Sequence, residues 1–193
     1  SREVMNRIRE LCKKESFDII QCEGLAFSLY TDGIRESTNA KIILRAHNLE
    51  HQIKEMMACR ESNIFRKWYL SNLSSRIKSI ESLSRKKFDA IVAISESDAG
   101  WFDNLDGKAP VFTSPTGIES VMPRDEITSQ KNRVGFIGSL DWVPNIDGLT
   151  WFVNEVWPVV VNEMPEAWLH IAGRNAGRDT LKKLSFRNIE FHG

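Results

Sequence analysis

Apolar positions along the chain alternate between short continuous runs and a period of about 3.6 residues, which is the mark of strands alternating with helices. Val4, Ile8 and Leu11 share one helical face, and Phe17 to Cys22 (FDIIQC) then reads as a buried strand. After a turn around Thr31, Asp32 and Gly33, Lys41 to Ala46 (KIILRA) forms a second strand that runs into His47, Asn48, Leu49 and Glu50. Asn48 is placed to cap a helix carrying Ile53, Met56 and Met57, with Glu50 in its first turn complementing the dipole. Leu70, Leu73, Ile77, Ile80 and Leu83 keep helical spacing as far as Lys87, so a long amphipathic helix is expected to cover a sheet with them. Phe88 to Ile94 is a third strand, Ser95 caps a short helix through Phe102, and Pro110 to Thr113 is a fourth strand.

From Ser114 to Asn132 the period dissolves into SPTGIESVMPRDEITSQKN, a linker between domains of residues 1–125 and 126–193. Beyond it, Val134 to Ile137 stops at Gly138, and a polar turn leads through Pro144 and Asn145 into a helix bearing Leu149, Phe152, Val153 and Val156. Pro158 starts a further helical turn, and Ala167 to Ala172 is a strand that Gly173 ends. Leu181 and Leu184 mark another helix, and Asn188 to Phe191 another strand. The pattern predicts an α/β protein of two partial Rossmann-like domains, each a parallel sheet flanked by helices.

A strand, a glycine turn and a helix in succession, as in RVGFIGSLDWVPNID, suit an anion, because the helix start presents N–H groups and the positive end of its dipole. The same pattern also serves as a plain βα turn without a ligand. Lysine plus arginine and aspartate plus glutamate both number 26, so no global field or reader motif points to nucleic acid. Cys12, Cys22 and Cys59 are odd in number and widely spaced, which argues for a reducing, cytoplasmic setting. The same spacing rules out a zinc ligand set, and His47, His51, His170 and His192 do not repair it, so no metal site is expected. No apolar run approaches a membrane span.

The segments FIGSLDWVPNIDGLTWFVNEVWP, AWLHIAGR and IEFHG, with RAHNLEH, AISESDA and SPTGIE upstream, together resemble the family-4 retaining glycosyltransferases over nearly the whole chain. The resemblance implies the two-domain GT-B fold. It also implies transfer of a sugar from a nucleotide diphosphate sugar to a saccharide or lipid-linked acceptor with retention, usually with no metal or other cofactor, in the cytoplasm or at the inner face of the membrane. Negative charge then builds on the departing diphosphate, so fixed donors must face it.

By this resemblance Gly138 and Ser139 sit beside the diphosphate with Asn145 close by, although Asn145 is equally suited to cap the helix. The turn holds Leu140, Asp141 and Asp147 where many relatives place a phosphate-binding arginine or lysine, which leaves Arg174, after Gly173, as the nearest basic candidate. Phe191 and Gly193 match the strand end that lines the base pocket, and Gly117 matches a glycine of the interdomain segment. His47 matches the histidine that faces the donor sugar, the one candidate for catalysis. A glycine-rich loop near the amino terminus and a downstream glutamate pair belong to the family pattern and do not occur here. The expectation is therefore an internal piece of a longer enzyme, inactive by itself.

Two other classes fit parts of the sequence. Arg66, Lys67, Arg76, Lys78, Arg85, Lys86 and Lys87 against the single Glu81, joined by Phe65, Trp68 and Tyr69, suit a non-catalytic module that binds a membrane surface or a protein. A nucleotide-sugar epimerase of similar fold is the other, though RAHNLEH and GSLDWVPN follow the transferase pattern.

Overall fold

The computed structural model describes residues 1–117, 131–174, 177 and 184–193. Most of the expected linker, the domain boundary at 125/126 and most of the helix marked by Leu181 and Leu184 lie outside the described residues. The chain forms two compact units, Ser1–Ser120 and Val121–Gly193. Each is an α/β unit built on a parallel sheet.

In the first unit α1 (Arg2–Lys14) leads to β1 (Ile19–Glu23), β2 (Lys41–Ala46), β3 (Ala90–Ala93) and β4 (Val111–Thr113), which pair in chain order. Parallel neighbours need a crossover each, and the helices supply it. Ile42, Leu44, Ile91 and Ala93 are sealed in the core with Ile34, Phe88 and Phe102. The turn expected at Thr31 to Gly33 is instead a helical segment, a 3₁₀ turn at Leu25–Leu29 followed by α2 (Thr31–Arg35). There the Thr31 hydroxyl donates to the Ser28 carbonyl, 3.0 Å away, and ties the start of α2 to the 3₁₀ turn. Asp89 accepts the Ile42 N–H at 2.8 Å and pairs with Arg35 at 3.2 Å, which fixes β3 against β2. Burial works to raise its carboxyl, but the Ile42 N–H and Arg35 outweigh it and hold the group below its ordinary value.

The crossover from β2 to β3 departs most from expectation. It consists of α3 (Glu50–Arg60), α4 (Ile64–Glu81) and the four-residue α5 (Ser84–Lys87). Asn48 does not cap α3; Leu49 stands at the cap with no side-chain bond. The cap comes from the far end of α4, where the Glu81 carboxylate accepts the Glu50 N–H at 2.7 Å, the His51 N–H at 3.2 Å and His51 Nδ1–H at 2.5 Å. Glu81 and His51 are 0% and 3% exposed, so these bonds are made without competition from water. Ser74 adds a bond to the His51 carbonyl at 2.8 Å. The buried stripe of α4 is thus Ser74 and Glu81 facing α3, while Leu70, Leu73, Ile77 and Ile80 are only half-buried and Leu83 is exposed. A polar seam has replaced the apolar one because small and charged side chains let the two helices satisfy each other's ends.

In the second unit β5 (Arg133–Ile137), β6 (Trp168–Ala172) and β7 (Ile189–Phe191) pair in chain order. Between β5 and β6 lie α7 (Val143–Trp151), a π-helical turn at Phe152–Val156 and α8 (Trp157–Glu163). The widened turn sits just ahead of Pro158, which has no N–H to return to the carbonyl four residues back. Leu149, Val153, Trp157 and Val161 meet Leu169, Ile171 and Leu184 in one core. Trp157 is wholly buried, and its Nε1–H donates to the Arg187 carbonyl at 3.0 Å.

Removing the Glu81 carboxylate leaves helix donors and an imidazole buried without a partner. Glu81→Ala should lower the unfolding free energy by about 3–5 kcal/mol, and Glu81→Gln by less, since its amide oxygen still accepts. Urea denaturation of the three proteins measures this. An alanine variant as stable as the parent would show that α3 does not depend on this cap.

Candidate functional site

The carboxyl ends of the first unit's strands carry one constellation. Glu23 closes β1 and His47 follows β2, and parallel register sets Glu23 beside Arg45. Gly24 turns the chain away with φ of 92°, a conformation that favours glycine, and its N–H bonds to the Arg45 carbonyl at 3.0 Å. His47 Nε2 lies 2.7 Å from Glu23 Oε2, both side chains being about half exposed. A hydrogen bond from Gln21 is the largest influence holding the Glu23 carboxyl below its usual range; slight burial opposes it, and His47 and Arg45 reinforce it. Glu23 is therefore an acceptor for Nε2–H, and in the neutral ring this leaves Nδ1 bare to accept a proton.

Beside this pair lies a cavity of about 490 Å³, lined by Glu23, His47 and Glu50 and by the apolar Leu29, Ile77 and Ile80. The half-buried isoleucines of α4 are thus spent on this cavity. Ser28 also lines it, with an Oγ that is buried and has no hydrogen-bond partner among the described residues. A larger groove of about 640 Å³ opens by Phe17, Asp18 and Lys41, at the amino ends of β1 and β2. In a parallel α/β sheet the carboxyl ends are where helix starts converge, which favours the smaller cavity as the site.

The second unit brings its predicted residues together at the corresponding end of its sheet. The Gly138 N–H donates to the Ala172 carbonyl at 3.1 Å, the Leu140 N–H to Arg174 at 3.0 Å, and the Gly173 N–H to Gly193 at 3.2 Å. The Ser139 hydroxyl donates to Asp141 Oδ1 at 2.6 Å and accepts from Arg174 Nε at 3.3 Å. Asn145 is not the cap of α7, a place held by Trp142; it stands inside the first turn and donates Nδ2–H to the Ser139 carbonyl at 3.0 Å. Phe191 packs its ring against the core. The Gly138 N–H is already engaged. At the helix start, the N–H groups of Asn145 and Ile146 both return to the Trp142 carbonyl, and Pro144 has none. The Ser139 hydroxyl and the Arg174 guanidinium are the side-chain groups this turn offers an anion.

Sequence reasoning missed Glu23 as the partner of His47, and missed the Glu81–His51 pair. The lone acid on a basic helix was the available signal for the second.

No family model matches the chain. It is 28% identical over 183 residues to an uncharacterized 44.6 kDa protein in the cps region of Klebsiella pneumoniae, covering 92% of this chain and 45% of that protein. Among solved structures, the crystal structure of TarM aligns with a TM-score of 0.59 at 20% identity, over 91% of this chain and 32% of that one. A mutant of S. aureus TarM in complex with fondaparinux, α-GlcNAc-glycerol and UDP aligns with a TM-score of 0.57 at 17% identity, over 90% and 32% of the two chains. The chain thus spans less than half the length of these proteins, and the likeness to TarM is one of fold.

A Cβ on Gly173 would stand 1.8 Å from the Gly138 carbonyl oxygen, whereas one on Gly138 meets the Phe136 ring at 3.0 Å and the Asn145 amide at 3.1 Å. Gly173→Ala should therefore force β5 and β6 apart at this end and cost about 1–3 kcal/mol, and Gly138→Ala should cost less. Tryptophan fluorescence during urea unfolding reads the difference, and equal losses would deny the backbone contact.

Proposed function

We propose that this sequence is part of a retaining glycosyltransferase of GT-B architecture, which moves a hexosyl group from a nucleotide diphosphate sugar to a saccharide or lipid-linked acceptor in polysaccharide synthesis. The observation that carries this reading is the fold shared with TarM, one structure of which holds UDP together with α-GlcNAc-glycerol, a nucleotide diphosphate beside a glycosylated alcohol. The cps designation of the Klebsiella protein supports a polysaccharide product.

The residues divide the work by charge. In the first unit His47, oriented by Glu23, offers one ring nitrogen to a sugar hydroxyl, and the cavity beside it has apolar walls for a sugar's C–H faces. In the second unit Arg174 and Ser139 receive the diphosphate, with Gly138 and Gly173 keeping the backbone low enough for it to approach and Asn145 holding the turn in shape. Phe191 and Gly193 lie at the edge that takes the base. The scheme calls for no metal, and it assigns the reaction to the cytoplasm or to the inner face of the membrane.

The charge division has a test. In an enzyme carrying this sequence, His47→Ala should cut turnover about 10²-fold or more while calorimetric affinity for the nucleoside diphosphate stays within about twofold. Unchanged turnover would remove His47 from the site, and isomerised nucleotide sugar without transfer would favour the epimerase.

A second observation bears on the acceptor. At the start of α4, Ile64, Phe65, Trp68 and Tyr69 are 74%, 81%, 70% and 59% exposed, interleaved with Arg66 and Lys67. Large apolar side chains next to cations suit the interface of an anionic bilayer, where a lipid-linked acceptor would be presented. The protein should co-sediment with vesicles containing phosphatidylglycerol, and Phe65→Ala with Trp68→Ala should weaken this several-fold. Failure of the unsubstituted protein to bind would remove the membrane contact and leave the transferase reading standing.

A further inference from the structure

We propose that His170, Glu190 and His192 form a binding site for a divalent transition ion of the zinc type. Strand pairing, not linear spacing, assembles it. Register places His170 of β6 beside Glu190 of β7, and His192 follows two residues later on the same face, opposite to the Leu169 and Ile171 face that enters the core. His192 is held there by its own backbone, whose N–H donates to the Ile171 carbonyl at 2.9 Å.

The geometry fits an ion. His170 Nδ1 and His192 Nε2 are 2.9 Å apart, while Glu190 Oε2 lies 3.3 Å from the first and 4.0 Å from the second. A point equidistant from these three atoms lies about 2.0 Å from each, which is the length of a Zn–N or Zn–O bond. The ring centroids are 5.1 Å apart and the rings are inclined by 27°, so the two nitrogens face each other across the gap. A tetrahedral ion would set all three separations near 3.3 Å, so the two nitrogens part by about 0.4 Å and Glu190 closes on His192 by about 0.7 Å, which the exposed Glu190 and His192 side chains accommodate. Two imidazoles and a carboxylate are borderline-to-hard donors that suit zinc, cobalt or nickel rather than calcium or magnesium. Three protein ligands leave a fourth position for water. Without an ion, the two facing nitrogens can share only one proton along their contact, and the carboxylate takes a longer, poorer one.

The consequence is local. β7 has only three residues, and an ion bridging His170 to Glu190 and His192 would clamp it to β6 just below the Gly173 to Gly193 contact. The linear spacing that argued against a zinc set does not count this pairing, because residues 170 and 190 become neighbours only in the sheet.

The test uses the purified chain, stripped with a chelator and free of any histidine tag. Calorimetric titration with Zn²⁺ should show one ion per chain with micromolar or tighter affinity, and Co²⁺ should give the visible absorption of a low-coordinate N/O site. His192→Gln and Glu190→Gln are exposed substitutions that leave the core untouched, and each should weaken binding tenfold or more. Cys59→Ser, which removes an exposed thiol, should leave affinity unchanged. Saturating Zn²⁺ should also raise the Tm of the parent but not of His192→Gln. Absence of saturable binding, or binding of equal strength in His192→Gln, would overturn the site.

Discussion

A buried carboxylate holds the first unit in its working shape. Glu81 reaches across from the end of α4 to take two backbone N–H groups and an imidazole N–H at the start of α3. A helix start sealed from water must find acceptors within the protein, and a charged acceptor serves better than a neutral one at the positive end of a dipole. Because α3 begins only three residues after His47, the same contact fixes how far the chain may travel from the end of β2. The position of His47 beside Glu23 follows from that anchor at one end and from the β1–β2 register at the other.

The second unit is held by close backbone approach in place of charge. Its three strand ends meet through Gly138, Gly173 and Gly193, and the contact at Gly173 leaves no room for a Cβ. Side chains then fill in around this floor: Asn145 braces the Ser139 carbonyl, and Arg174 reaches the Ser139 hydroxyl. The glycines serve the packing of the turn first, and any approach of a diphosphate uses a surface that the packing has already lowered.

Much of this was legible in the residues. β2 runs over the expected Lys41–Ala46, Ser95 caps α6 (Glu96–Asp103) through its hydroxyl, and both sheets are parallel, because each signal there is local: a continuous apolar run, a cap residue, a glycine stop. What could not be read was long-range and polar. Glu81 is 30 residues from His51, and Glu23 is 24 from His47, so nothing in either neighbourhood announces its partner. Asn48 and Asn145 were the better cap residues by type, yet tertiary contacts gave the work at α3 to Glu81 and turned Asn145 inward to the turn. The long α4 misled for the same reason: its leucines and isoleucines keep helical spacing, but a polar stripe is what meets α3, and Ile77 and Ile80 end up at the cavity.

The hydrogen bonds of the second unit's turn also set what binding an anion there requires. The Ser139 hydroxyl gives its proton to Asp141, and Arg174 gives one of its own to the Ser139 oxygen, so the turn is internally satisfied, with a carboxylate near where phosphate charge would come. For a diphosphate to enter, the Ser139 hydroxyl must leave Asp141 and turn outward, and Arg174 must trade a neutral oxygen for an anionic one. Both bonds given up already involve a charged group, a carboxylate in one and a guanidinium in the other, so each is worth about 1.5–3 kcal/mol, the same as the bonds to phosphate that would replace them. The exchange is close to even, and the repulsion of Asp141 counts against it. Under the proposed function, a turn balanced in this way gives a diphosphate little net gain, so the donor's base and sugar have to supply most of its affinity.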